Sequence, residues 1–235
     1  MMTDAYRMAG RVVRINSLFE KVHDYCREYR CGDAEPDITV TVTQEDIDFE
    51  RSRSTIARST DPYLEELAVY RKIAAEMLRF DTFLFHGSCV AVDGEAYLFT
   101  APSGTGKSTH TRLWRQLLGE RAVMVNDDKP LITVTDSGVI IHGTPYNGKH
   151  RLGSDISVPL KAVCLLGRSD TNTIEAVTPA EAYPTLVQQA YRPADGLSVA
   201  KTLALLDKLT ETVKLYRLGC NMDISAAQTA YEGMK

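Results

Sequence analysis

The sequence has few cysteines, and no two of them stand at metal-binding spacing. Five occur in 235 residues, and no C-x-x-C pair is present. An odd, scattered set argues against a disulfide framework and against a zinc site. A reducing compartment fits this composition, and we expect a cytoplasmic location. The five positions are Cys26, Cys31, Cys89, Cys164 and Cys220.

Long apolar runs and an excess of positive charge are also missing. No stretch reaches transmembrane length, and the first residues lack the basic start and apolar core of a signal peptide. The net charge is -4, so a general attraction to nucleic acid or to a membrane surface is not expected. With 44% hydrophobic residues the chain can still bury a core. We expect no nucleic acid or membrane partner, while a homo-oligomer stays open.

The first eighty residues predict a small α+β segment packed on a larger core. Strict alternation over DITVTVT predicts a half-buried strand, and Asp61 with Pro62 predicts a capped helix start. The charged stretch between these two features predicts a mobile surface connection, and His23 is expected on a surface helix. The predicted elements are a strand over residues 6–15, a helix over 17–29, a strand over 37–43, the connection over 45–59 and a helix from residue 61.

Residues 81–235 predict the main α/β domain, with a mixed sheet. Asp93-Gly94 is a hairpin signal between two apolar runs, and a glycine-rich stretch and an amphipathic helix follow. Thr178-Pro179-Ala180-Glu181 is a capping box. The predicted strands are 84–92, 95–101, 121–126, 131–134, 139–142, 160–166 and 213–218; the predicted helices are 108–118, one from residue 178, 197–212 and a short one at the end of the chain.

The stretch APSGTGKS, residues 101–108, fits the phosphate-binding loop (P-loop), with Ala101 where glycine is usual. Glycines let backbone N–H groups approach a phosphate, and the start of the next helix adds its dipole. Lys107 supplies a cation for the β- and γ-phosphates, and Ser108 a hydroxyl for Mg²⁺. The expected ligands are therefore ATP and Mg²⁺. The predicted nucleotide-binding residues are Ser103, Gly104, Thr105, Gly106, Lys107, Ser108 and Thr109.

Asp127 and Asp128 follow the next predicted strand. A right-handed crossover would set this strand beside the first one in parallel, so that both carboxyl ends lie at one edge of the sheet. The two carboxylates would then face the phosphates. One would hold Mg²⁺ and the other would accept the proton of an attacking hydroxyl, and the sequence does not assign the two roles. A polar turn is the alternative.

The run FHGSCVAVDGEAYLFTAPSGTGKSTHTRLW, with the later VNDD, resembles the HPr kinase/phosphorylase family. The resemblance covers roughly residues 83–134 and implies the nucleotide-binding core that this family shares with ATP-dependent phosphoenolpyruvate carboxykinase. It implies an ATP- and Mg²⁺-dependent kinase acting on a serine hydroxyl. It makes His86 an active-site histidine, Lys107 and Ser108 the loop lysine and metal-binding serine, and Asp127 and Asp128 the paired aspartates.

After the P-loop comes a further loop with basic residues, HGTPYNGKHRLG, residues 142–153, which we call the second basic loop. At this place the resembled family has a glutamate that helps to hold the metal. Such a loop can bend over a triphosphate, and Lys149 is its preferred catalytic member; a solvated basic turn is the alternative. Arg192 is a weaker candidate for the acceptor site. Without the resemblance, His86 would be interpreted as a structural histidine. His110 is expected to face solvent rather than the nucleotide.

The sequence thus predicts a P-loop kinase that transfers the γ-phosphoryl group of ATP to a hydroxyl of a protein, a peptide or a small molecule. Two alternatives remain. A small-metabolite kinase of another P-loop type also places an acidic residue one strand after its loop, but it begins with that loop. A nucleotide-binding regulatory module without transferase activity would lack the metal-holding glutamate.

Overall fold

The computed structural model describes residues 1–54, 58–148 and 150–235. The chain divides into two compact units, Met1–Phe80 and Asp81–Lys235. Both units combine helices with strands. Among the described residues, no helix has the length and apolar character needed to cross a membrane.

The first unit contains a sheet with the order β1-β2-β3. Its first two strands form a hairpin, so the single strand predicted over residues 6–15 is wrong. Ala9 and Gly10 both have positive φ, 49° and 74°, as a tight two-residue turn requires. The elements are β1 (Met2–Met8), β2 (Arg11–Ser17), α1 (Lys21–Cys26), β3 (Ile38–Thr41), α2 (Gln44–Arg53) and α3 (Asp61–Met77).

Helix α2 occupies most of the segment that was predicted to be a mobile connection, and residues 55–57 of that segment lie outside the described residues. The N–H of Thr43 donates to the Asp46 carboxylate at 3.0 Å, which caps the helix. Ile47 of α2 is buried, and most other residues of the helix are polar or charged, so no apolar period marks it. His23 is buried, and its ring nitrogens bond Tyr6 and Ser17, which contradicts the predicted surface position.

The second unit is built on a mixed sheet with the order β4-β8-β9-β10-β6-β5-β7, to which β12 and then β11 are added beside β10. Strand β10 is parallel to β6 and β12, and the other pairings are antiparallel. The elements are β4 (Thr82–Leu84), β5 (Ser88–Val92), β6 (Glu95–Thr100), α4 (Lys107–Leu118), β7 (Ala122–Asn126), β8 (Leu131–Thr135), β9 (Gly138–His142), β10 (Ser157–Arg168), β11 (Thr173–Ala176), α5 (Pro179–Gln189), α6 (Gly196–Thr212), β12 (Lys214–Cys220) and α7 (Ile224–Met234).

The strand predicted over residues 84–92 is two strands, β4 and β5, which lie in different parts of the sheet. The chain turns between them at His86 and Gly87. A side chain at Gly87 would meet Leu98 at 2.7 Å and the Phe99 carbonyl at 3.0 Å, so this turn lies directly against β6. The apolar run conceals this break, because a turn buried in the sheet need not be polar.

The crossover argument predicted that β7 lies beside β6, and this prediction is wrong. The antiparallel strand β5 lies between them and pairs with both. Since β6 and β7 each run opposite to β5, they are parallel to one another, and their carboxyl ends still lie at the same edge of the sheet.

Helices α4 and α7 pack together against the β5, β6 and β12 part of the sheet, whereas α6 packs on β8 and β9. Trp114 of α4 is fully buried, with its ring 5.0 Å from that of Tyr97 and 5.2 Å from that of Phe99. This aromatic contact fixes α4 on β6 and thereby holds the loop that joins them.

Candidate functional site

The loop of residues 101–106 leaves β6 and enters α4 directly, and we call it the glycine loop. Gly104 and Gly106 have φ of +78° and +122°, values that L side chains rarely adopt. Gly106 is the N-cap of α4, so the first N–H groups of a 12-residue helix have no partner within the helix. Ser103 and Gly104 are exposed and Thr105 is half-buried. This arrangement is suited to binding an anion.

Lys107, the first residue of α4, is buried, and its Nζ donates to the carbonyls of Ala101 at 2.9 Å and Pro102 at 3.4 Å. The ammonium therefore lies against the glycine loop. Burial lowers the pKa of Lys107, while the charges of Asp128 and Asp127 act in the opposite direction. The cation and both carboxylates thus share one electrostatic environment.

Asp127 follows β7 and is buried among hydroxyl groups. Ser88 Oγ donates to its Oδ1 at 2.6 Å, and the Ser108 hydroxyl lies near the carboxylate. Burial raises the pKa of Asp127, and these two hydroxyl groups partly offset the rise. Ser88 also bonds Thr111 of α4 at 2.8 Å. Sequence reasoning missed Ser88, because the apolar run around it shows no sign that β5 enters the site.

Asp128 is half-buried and lies beside His86, whose Nε2 is 3.5 Å from its Oδ1. Lys129 forms an ion pair with the same carboxylate. The Gln189 Oε1 accepts a hydrogen bond at 2.7 Å from His86 Nδ1, so Nε2 carries a proton only in the imidazolium form. Burial lowers the pKa of His86, and the nearby Lys107 charge lowers it further. Gln189, 103 positions away in sequence, gave no signal in the sequence.

The second basic loop lies against the aspartates, but Lys149 falls outside the described residues. A side chain at Gly148 would come within 3.4 Å of Asp128 Cβ, and a charge on His150 acts to lower the pKa of Asp127. Arg192 is exposed and donates to the Ala190 carbonyl at 3.1 Å, next to Gln189.

His110 was expected to face solvent, and the structure contradicts this expectation. It is 2% exposed, and its Nε2 accepts a hydrogen bond of 3.0 Å from Trp114 Nε1. Burial lowers the pKa of His110 to about 4, so the imidazole is neutral at pH 7. Its helix turn has one face in the core, which the expectation overlooked.

A cavity of about 620 Å³ adjoins the glycine loop on the side of β10 and β12. The carboxylate cluster lies on the other side, at the end of β7, because β6 carries the loop between β10 and β5. Arg168 Nη2 donates to the Gly104 carbonyl at 2.6 Å and ties the loop to this cavity. The lining residues come from three segments: Gly104, Thr105, Gly106, Thr109 and His110; Leu166, Arg168, Ser169 and Asp170; Cys220, Asn221 and Met222.

No group of three or more His, Cys, Asp or Glu side chains suited to holding a metal occurs among the described residues. Mg²⁺ does not need such a group, since it binds through one or two protein oxygens together with water and phosphate. The Ser108 hydroxyl and the Asp127 carboxylate, which lie near one another, form a pair of oxygen ligands of that kind.

Fold and site together define an α/β protein with a glycine loop at the carboxyl end of a strand, flanked by a cavity and by two aspartates. The chain belongs to the family of SynChlorMet cassette protein ScmC, whose model matches residues 63–202. This range includes the glycine loop, both aspartates and His86. No curated protein matches the chain. A solved structure of the Hpr(Ser) kinase/phosphatase from Coxiella burnetii is similar with a TM-score of 0.34 and 9% identity, over 64% of this chain and 95% of that one.

Proposed function

We propose that the protein is an ATP- and Mg²⁺-dependent kinase that transfers the γ-phosphoryl group to a hydroxyl of a protein, a peptide or a small molecule. One observation carries the proposal: the buried ammonium of Lys107 at the glycine loop and the carboxylates of Asp127 and Asp128 lie within electrostatic reach of one another. A polyanion with its metal ion is a ligand that uses both charges.

The phosphates bind at the start of α4. Backbone N–H groups of the glycine loop donate to the phosphate oxygens, and Lys107 turns from its carbonyl partners to the β- and γ-phosphates. These carbonyl bonds, to Ala101 and Pro102, keep the ammonium at the loop before a ligand arrives. Lys149 remains a candidate for a second cation over the transferred group.

The two aspartates have different surroundings, and we assign them different roles. Asp127 lies near the Ser108 hydroxyl, and these two oxygen groups would hold the metal. When bound there, Mg²⁺ would neutralise charge on the phosphates. Asp128 is half-exposed beside His86 and accepts the proton of the attacking hydroxyl. Lys129, which forms an ion pair with the same carboxylate, keeps it in place, and Gln189 fixes the ring of His86.

Transfer of label from γ-labelled ATP to a pool of serine- and threonine-containing peptides and hydroxylated metabolites tests the proposal. We expect Mg²⁺-dependent labelling by the wild type and none by Lys107→Ala. Lys161→Ala is a matched control, because Lys161 lies in the same unit and donates a hydrogen bond to the Glu95 carboxylate at 2.6 Å. Tight ATP binding without transfer to any acceptor would contradict a kinase and favour a regulatory module.

A further inference from the structure

The cavity beside the glycine loop is lined on one side by that loop, but the proposed phosphate binding and proton transfer leave the rest of it without a role. Neither Lys107 nor either aspartate lines it. Its volume of about 620 Å³ lies within the range of about 300–1,000 Å³ that is typical of small-molecule sites. It adjoins the loop on the side away from the carboxylates, so a molecule whose phosphates occupy the loop would extend its other end into this space.

The far wall of the cavity is held in shape by hydrogen bonds. Asn221 donates through Nδ2 to the Asp170 carbonyl at 3.1 Å and accepts from Asn172 at the same distance. Its own N–H donates to Asn172 Oδ1 at 2.9 Å. These bonds join the segments after β10 and β12, so the space exists before any ligand binds.

One polar atom in the wall has no partner. The lining residue His110 has a buried Nδ1 without a hydrogen bond, whereas its Nε2 is occupied by the Trp114 indole N–H. A nitrogen that accepts from an indole carries no proton. Because the imidazole is neutral at pH 7, the proton must be on Nδ1. His110 thus presents a buried N–H donor without an acceptor, which is a costly state in the absence of a ligand.

His110 lines the cavity, so a ligand held there can bring an acceptor to this ring. Phe99 packs against the imidazole edge to face, with ring centres 4.6 Å apart, and Trp114 lies on another side at 6.4 Å. Neither ring offers a hydrogen-bond acceptor in the ordinary sense. Ring nitrogens of a nucleobase and oxygens of a ribose are acceptors of the required kind.

We propose that this cavity binds the nucleoside part of the nucleotide and that the Nδ1–H of His110 donates to an acceptor atom of that nucleoside. The inference rests on the proposed function, since it needs phosphates in the glycine loop. It adds a residue that recognises the nucleoside and takes no part in the transfer itself.

The test compares Mg·ATP with Mg·tripolyphosphate, which has the phosphates but no nucleoside. We expect His110→Phe, which keeps a ring of similar size, to bind Mg·ATP about tenfold more weakly and Mg·tripolyphosphate as tightly as the wild type does; tenfold corresponds to about 1.4 kcal/mol. Lys107→Ala should weaken both ligands. Unchanged ATP affinity in His110→Phe, or an equal loss for both ligands, overturns the inference.

Two further variants separate the donor from simple packing. Asn places its amide where Nδ1 stands, whereas Gln places it where Nε2 stands, so His110→Asn should regain part of the ATP affinity and His110→Gln should not. The protein has one tryptophan, Trp114, and its emission should change with ATP but not with tripolyphosphate. Recovery by Gln alone overturns the tautomer argument. Failure of the wild type to bind either ligand overturns the proposed function, whereas binding of tripolyphosphate without any preference for ATP overturns only the nucleoside site.

Discussion

At the scale of single residues, the adjacent carboxylates Asp127 and Asp128 face different partners. Two hydroxyls surround the first, which is 8% exposed, while a histidine and a lysine flank the second. Adjacent residues at the end of a strand point in different directions, so the two carboxylates at the end of β7 have different surroundings. Their proposed roles can therefore be separated by experiment.

We expect Asp127→Asn to raise the Mg²⁺ concentration that gives half-maximal transfer about tenfold, because an amide is a weaker metal ligand than a carboxylate. We expect Asp128→Asn to lower kcat at least about 100-fold while Mg²⁺ dependence and ATP affinity change little, because an amide cannot take up the proton. Magnesium titrations of the transfer rate, with ATP affinity measured by calorimetry, distinguish the two effects. The same Mg²⁺ shift in both variants would contradict the assignment.

The residues of the site were predictable from sequence only where they are local. The glycine loop, Lys107 and Ser108 are contiguous, and one helix and one strand separate them from the aspartates, so spacing and crossover handedness led to the expectation of one shared sheet edge, although β7 is not the neighbour of β6. Ser88 and Gln189 come from β5 and the end of α5, and their approach depends on the order of strands in the sheet. A single sequence carries no local trace of that order.

At the scale of elements, the second basic loop is fastened to the strand that carries the aspartates. Gly143, just after β9, lies so close to its neighbours that a Cβ would stand 1.8 Å from the Ser154 carbonyl and 2.7 Å from that of Val125. Asn126 Nδ2 donates to Thr144 Oγ1 at 3.0 Å at the same place. The loop thus shares its anchor with the end of β7.

We expect Gly143→Ala to lower the free energy of unfolding by at least about 3 kcal/mol, because the atoms it would meet are backbone and cannot move aside singly. Gly196→Ala is the matched control: it lies at the start of α6 with no atom within 4 Å of its Cβ, and its effect should stay within about 1 kcal/mol. Urea unfolding measures both. Equal stability of the two variants would mean that the loop is free to shift.

Element types were predicted well where a period or a cap is visible, and poorly elsewhere. The alternation of β3 and the capping box of α5 are local, and both elements are present. Helix α2 has charges on nearly every side, and β4 and β5 form one apolar run, so tertiary contacts decide their structure. The Asp93-Gly94 turn places β5 beside β6, but the pairing of β5 with β7 on its other side follows from packing of the whole sheet.

At the scale of the whole molecule, two buried histidines make folding dependent on pH. Burial lowers the pKa of His110 and of His142 from 6.5 to about 4. Between these values the unfolded chain binds protons that the folded chain does not, so stability falls as pH decreases from about 6.5 toward 4.

We expect the free energy of unfolding to fall by about 2 kcal/mol for each of these histidines between pH 7 and pH 5, in addition to other groups. Urea unfolding at both pH values, of the wild type and of the double variant His110→Asn with His142→Asn, measures this share. The double variant should be less stable at pH 7 but lose about 4 kcal/mol less on acidification. An equal loss in both proteins would contradict the prediction.

The interposed strand β5 acts as a spacer. Two strand spacings of about 4.8 Å put the axes of β6 and β7 roughly 10 Å apart. Opposite charges at their ends are thereby kept from collapsing into a direct contact that would neutralise the ammonium and close the gap to an incoming anion. Without this strand, the ammonium and the carboxylates would form an internal ion pair, and no open site for an anion would remain.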